Sequence, residues 1–238
     1  MSDIEKANHR VQHNEIANGN GSHMHNSAVD PVPQPGFGQG GVPIRKLGNP
    51  GPLGLMSFAT TTLVLSLINA SARSVTTPNV VVGLALFTGG LAQLLAGMWE
   101  FAVGNTFGAT AFSSYGAFWL SYATILIPGS GVLAGYTSAV ELHNALGIFL
   151  TSWTIVTFIF LIGSLRKNVS FIALFICLTI TFGLLAGAEF TGGAHALKAG
   201  GVLGVITALI AYYIALAQLL TQDDWFTLPL FEMPKRRL

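Results

Sequence analysis

The sequence predicts an all-α polytopic membrane protein, six transmembrane helices bundled around a central path. Two observations carry this. Of 238 residues, 51% are hydrophobic and 9% charged, where a soluble domain carries about 25% charged residues. The apolar residues also fall in six blocks, 55–72, 79–103, 111–134, 142–163, 169–188 and 199–220, each near the roughly 20 residues that cross a bilayer as a helix. Backbone groups must be paired inside lipid, so a span is a helix or part of a closed barrel; continuous rather than alternating apolarity selects the helix. The expected organisation is a disordered cytoplasmic tail over 1–47, a transport domain over 48–222 and a cytoplasmic C-terminal tail over 223–238.

The tail is rich in Asn, Gln, His, Gly and Pro and lacks periodic apolar residues, a composition that cannot bury a core. Its start, MSDIEKANHR, has no apolar h-region, so the first span is expected to direct insertion. That span opens on NPGPLGLMSF, residues 49–58. Proline fixes φ and pushes the preceding residue from the α region, so Asn49-Pro50 and Gly51-Pro52 are expected to be extended, with Pro52 in the first helical turn. A sharply started helix exposes unpaired N–H groups with partial positive charge, which offers a carboxylate a site without a basic side chain. A rigid lead-in turn that only sets the tilt of the span is the alternative, and the two are compatible.

Polar residues inside spans are costly unless they face protein or water. Phe58, Thr62, Leu65, Ser66 and Asn69 share one stripe of the first span, and Gly89, Gln93, Gly97 and Glu100 one stripe of the second. The third span holds GNTFGATAFSSYGAFW, residues 104–119; the fourth contributes Gly147, Thr151 and Thr154, and the fifth Leu178, Thr181 and Leu185. In the sixth, Gly200, Gly204, Ala208 and Tyr212 recur every four residues, a helix-packing pattern. Small and hydroxyl residues on the other stripes fit packing as well as path lining; Gln93 and Glu100 tip the reading toward a path. Phe87, Trp99, Phe112 and Trp119 are expected on the lipid side of the second and third spans, as anchors or as a subunit interface.

Charge sets orientation. Arg45, Lys46, Arg166, Lys167, Lys235, Arg236 and Arg237 share the side of both termini, against Arg73 and Lys198 opposite, so both termini are expected in the cytoplasm. A net charge of +1 gives no footprint for nucleic acid. The single cysteine, Cys177, permits no internal disulfide and reads as a small buried hydrophobe. Histidines in the tail lack ligand spacing, no metal or cofactor is expected, and neither GxSxG nor GxxxxGK[ST] occurs, so an enzyme or ATP-driven pump is not expected.

NPGPLGL resembles the NPAPLGL signature of the acetate uptake transporter family, also called the succinate-acetate permease group; GNTFGATAFSSYGAFW and LTITFGLLAG at 178–187 extend the resemblance over about residues 47–220. The long polar tail is similar to that of fungal members. Gly51 stands in place of the motif's alanine. The resemblance implies a homohexamer in which each protomer conducts acetate and related short monocarboxylates, with succinate beside them, channel-like or with protons. It also implies a constriction of three side chains, matching Phe58, Tyr115 and Leu178, and a path with Asn49, Pro50, Leu55, Thr62, Gln93, Glu100, Asn105 and Thr106. Glu100 is the candidate proton handler. Partners are then small carboxylates, protons and the lipid bilayer, with the plasma membrane as the expected location. Ammonia or another small solute is the alternative cargo; a non-transporting membrane sensor, with Ser2, Ser22 and Ser27 in the tail open to modification, is the alternative from another class.

Overall fold

The structure is a computed structural model and describes residues 47–234. The expected tail over 1–47 thus lies almost wholly outside the described residues. Six long helices follow in chain order: α1 (Gly51–Asn69), α2 (Val81–Ala102), α3 (Thr106–Leu126), α4 (Ala139–Ser164), α5 (Val169–Thr191) and α6 (Ala194–Leu219). Five of them, all but α3, are long and apolar enough to cross a membrane. α3 is as long and carries no charged residue, yet Gly, Ser, Thr and Tyr lower its apolarity, because Gly108, Ser113, Tyr115 and Gly116 meet other helices or the interior instead of lipid. The all-α membrane bundle expected from the sequence is the fold.

The helix ends explain themselves locally. Asn105, Ser138 and Asn168 are N-caps whose side chains accept from the backbone N–H of Gly108, Glu141 and Phe171. α5 closes on Gly192 at φ 64°, the left-handed cap that glycine adopts without strain. The third span, expected over 111–134, instead ends at Leu126. Pro128 holds Ile127 extended (φ −72°, ψ 117°), and Pro128–Gly135 forms short 3₁₀ turns. Apolarity continued past the helix there because the loop stays apolar.

The opening motif also departs from expectation. Pro50 is helical (φ −82°, ψ −12°) and the helix begins at Gly51. Gly51 has no Cβ to clash with the ring of Pro52, so it tolerates the α region before proline. Its N–H donates to Asn49 Oδ1 at 3.0 Å, Pro52 has no N–H, and Gly54 N–H donates to the Pro50 carbonyl at 3.2 Å. These donors are therefore committed inside the protein, which favours the lead-in turn over an anion site.

α1 is the central helix: 67% of its most apolar stretch is buried, against 22% for α4. It packs along α6, where a Cβ on Gly201 would lie 2.8 Å from the Ser66 carbonyl oxygen and the Asn69 carbonyl carbon, and Gly204 rests on the Ser66 side chain. The expected packing role of the α6 stripe is what these contacts display, with Tyr212 hydrogen-bonded to Thr60 at 2.7 Å. α2 meets α3 as closely: a Cβ on Gly97 would stand 2.6 Å from Ser113 N, and one on Gly116 2.8 Å from Leu94 N. Residues Leu84–Ala92 of α2 wind as a π-helix, and Gly90 covers the Ala85 carbonyl where a side chain would collide.

After α6 the chain folds back as a strap. Val169 N–H donates to the Phe231 carbonyl, Met233 N–H to the Lys167 carbonyl and Tyr213 O–H to the Pro229 carbonyl, so the C-terminal segment is tied to the α4–α5 turn. Lys167 lies 4.4 Å above the Phe107 ring, and burial pushes its ammonium below the usual lysine range.

Gly201→Ala should destabilise the protein by about 1–3 kcal/mol, because backbone on α1 cannot yield. Gly187→Ala, which meets open space, should be neutral or stabilising by up to about 1 kcal/mol. Melting temperatures of the detergent-solubilised variants check both.

Candidate functional site

A cavity of about 120 Å³ opens inside the bundle, room for a handful of water-sized molecules. α1 lines it with Phe58, Thr62, Leu65, Ser66 and Asn69, the whole stripe read from the sequence. α3 adds Tyr115, Phe118, Trp119, Tyr122, Ile125 and Leu126; α5 adds Leu178, Thr181, Phe182, Leu185 and Glu189; α4 and α6 close the sides with Leu146, Phe149, Leu150 and Leu197. On α1, α3 and α5 the deepest lining residues are Phe58, Tyr115 and Leu178, and the last are Asn69, Leu126 and Glu189, eleven residues later in each case. That is about 16 Å of helix rise. The cavity runs from mid-bundle to the end opposite the α1 N-terminus.

Phe58, Tyr115 and Leu178 thus come from three helices to one level, 5%, 3% and 3% exposed. The Phe58 and Tyr115 rings are 5.6 Å apart between centroids at 53°. Tyr115 O–H donates to Thr157 Oγ1 of α4 at 3.0 Å, which fixes the ring's direction. Beyond this level the bundle is filled by aromatics: Tyr115 touches Phe160 (5.7 Å), Phe160 touches Phe175 (5.9 Å), and Phe107 packs edge-on against both. The three residues form the foot of an open cavity and the roof of a packed aromatic floor.

Two buried polar atoms in this lining have no protein partner among the described residues: Thr62 Oγ1 and Trp119 Nε1. An unsatisfied buried polar group costs about 1–3 kcal/mol.

The other sequence-predicted residues lie outside the cavity lining. Leu55 is packed in the core, Pro50 is half-buried, and Asn49 and Thr106 are exposed. Gln93 is wholly buried on the stripe that α2 turns toward its neighbours, and neither of its amide atoms finds a partner. Glu100 is 2% exposed and accepts a hydrogen bond from Asn105 Nδ2 at 2.8 Å, while Asn105 Oδ1 accepts from Gly108 N–H at 3.1 Å. This chain of contacts caps α3 and braces the turn at Gly104, whose φ is 84°. The stripe Gly89, Gln93, Gly97 and Glu100 is real, but it is occupied by packing: Gly89 fits against Thr61 and Trp119, Gly97 against Ser113.

Phe112 and Trp119, expected to face lipid, are buried at 8% and 3%. The Phe112 ring fills the notch left by Gly54, and Trp119 that left by Gly89. Phe87 and Trp99 do stay exposed. Phe118, Phe182, Tyr122 and Glu189 were missed in the sequence, although a signal existed: 115, 118, 122 and 125, and 178, 181, 182, 185 and 189, continue the helical stripes of Tyr115 and Leu178.

The model of the GPR1/FUN34/yaaH family matches residues 33–235. The chain belongs to that family. Among curated GPR1/FUN34/yaaH relatives, Ammonia transport outward protein 2 of Saccharomyces cerevisiae is 49% identical over 81% of this chain and 69% of its own length. Acetate permease A of Emericella nidulans is 45% identical over 84% and 71%. The succinate-acetate/proton symporter SatP of Escherichia coli K12 is 37% identical over 75% and 92%. A solved structure of the bacterial acetate channel SatP superposes with a TM-score of 0.69 at 35% identity, covering 78% of this chain and 99% of that one.

Tyr115→Phe and Thr157→Val should each cost about 1 kcal/mol of stability, and the double variant less than their sum. Thermal unfolding of the three proteins measures the coupling.

Proposed function

We propose that this GPR1/FUN34/yaaH member conducts acetate and related short monocarboxylates, and the dicarboxylate succinate, across the plasma membrane, through the cavity and past Phe58, Tyr115 and Leu178. The carrying observation is the convergence of these three side chains at the foot of a cavity that otherwise opens to one face of the bundle. The names of Acetate permease A and SatP support the same cargo. Lysine and arginine on the terminal side support cytoplasmic termini, which turns the cavity mouth outward.

The ring works by desolvation. A carboxylate ion entering an apolar narrowing loses its water at a cost of several kcal/mol, whereas the neutral acid loses only what a polar group loses. Passage is eased by groups that replace hydration one contact at a time: the Thr62 hydroxyl, left without a partner, and the Trp119 N–H above the ring. Movement of a proton with the acid is the coupling this lining favours. Glu100 bonds Asn105 at the α2–α3 turn and is not among the cavity-lining residues, which supports a structural part for it.

Ammonia is the second reading. The lining holds no lysine or arginine, and a relative is named for ammonia transport. Each protomer carries its own path in this proposal, within a homohexamer; the exposed Phe87, Trp99 and Phe101 on α2 supply apolar surface for subunit contact.

Phe58→Ala, Tyr115→Ala and Leu178→Ala should raise labelled acetate flux into proteoliposomes or admit larger carboxylates, by about tenfold for each 1.4 kcal/mol removed from the barrier. Lost flux with intact assembly and unchanged selectivity would count against a gating ring. Excess ammonium that abolishes acetate uptake without altering internal pH would favour the second reading. Glu100→Gln should leave the pH profile of uptake as it is; a flattened profile would return proton handling to Glu100.

A further inference from the structure

At the mouth of the cavity His143 and Glu189 form the one ion pair among the described residues, Nδ1 to Oε2 at 2.7 Å. Glu189 sits in the last turns of α5, on the stripe of Leu178, Thr181 and Leu185, and lines the cavity. Its side chain is 25% exposed and that of His143, on the second turn of α4, 58%. The pair therefore joins the cavity rim to solvent. Tyr122 of α3 is another lining residue toward this end. The remaining charged groups at this end are Glu141 on α4, His195 and Lys198 flanking Leu197 on α6, and Arg73 after α1; none reaches ion-pair distance of either partner.

We propose that His143 and Glu189 form a pH-set electrostatic filter for anionic substrate at the cavity mouth. This rests on the transport reading above and adds to it a site and a charge rule. Among the described residues Glu189 is the only carboxylate, lysine, arginine or histidine in the lining. With a neutral imidazole beside it, the mouth carries one negative charge and repels a carboxylate ion. With a protonated imidazole, Nδ1–H donates to the Glu189 carboxylate, the local charge falls to zero, and the anion gathers in the cavity before it meets the ring. An imidazole is the side chain that ordinarily changes charge between pH 5 and 8, above the range in which a small carboxylic acid itself takes up a proton.

The solute's own protonation also changes with pH, so the filter is read as the ratio of variant to wild-type flux of labelled formate at each pH, in which that change cancels. In proteoliposomes E189Q, which keeps an oxygen for Nδ1–H, should exceed the wild type roughly fivefold to tenfold at external pH 8 and match it at pH 5.5, the scale of a single-charge change in a narrow mouth. H143A should match the wild type at pH 8 and fall roughly fivefold to tenfold below it at pH 5.5; H143Q replaces it if H143A does not assemble. An E189Q-to-wild-type ratio that is the same at both pH values overturns the filter, as does a His143 variant that matches the wild type at pH 5.5, or acetate flux without formate flux. Absence of flux for both solutes in the wild type at every pH overturns the transport reading itself.

Discussion

Everything in this bundle follows from how closely α1 approaches α6. In a bilayer there is no water to drive helices together, and association depends on close van der Waals contact over small residues. Gly201 and Gly204 let the α1 backbone lie directly against α6, with Ser66 pressed between them. That contact buries α1 more deeply than any other span, and the stripe from Phe58 to Asn69, with Ser66 at its α6 edge, borders the space enclosed with α3 and α5. The cavity is what remains when α1 is held to one wall.

The same economy governs α2 and α3. Gly97 and Gly116 bring their backbones together, and Gly54 and Gly89 leave notches that Phe112 and Trp119 fill. Large aromatics are thereby drawn inward, and the stripe of α2 that carries Gln93 and Glu100 is spent on packing. The Glu100–Asn105–Gly108 chain then serves a turn, satisfying a carboxylate and a helix end in one set of bonds. Polar groups in a membrane helix are expensive, and here some are used to specify how helices join, while others border the cavity.

The cavity's two ends differ in kind. At its foot, Phe58, Tyr115 and Leu178 sit on a floor of aromatic rings, with Tyr115 held by Thr157. At its mouth, Glu189 and His143 bring charge that water reaches. Between them lie a hydroxyl and an indole N–H without partners. Charge thus lies at the mouth, lone polar groups in the middle and apolar side chains at the foot.

The sequence by itself determined the class of fold, the number of helices and the α1 stripe, because a bilayer demands long apolar segments and a helix repeats every 3.6 residues. It also picked out Phe58, Tyr115 and Leu178, through motifs that resemble a known family. Periodicity says that residues share a face; it does not say what that face meets. Only the tertiary structure decided that the α1 and α5 stripes face a cavity while the α2 stripe faces α3, and that Phe112 and Trp119 point inward. It alone joined His143 to Glu189, 46 residues apart, since which partner a face receives is settled by the glycine contacts between helices distant in the chain.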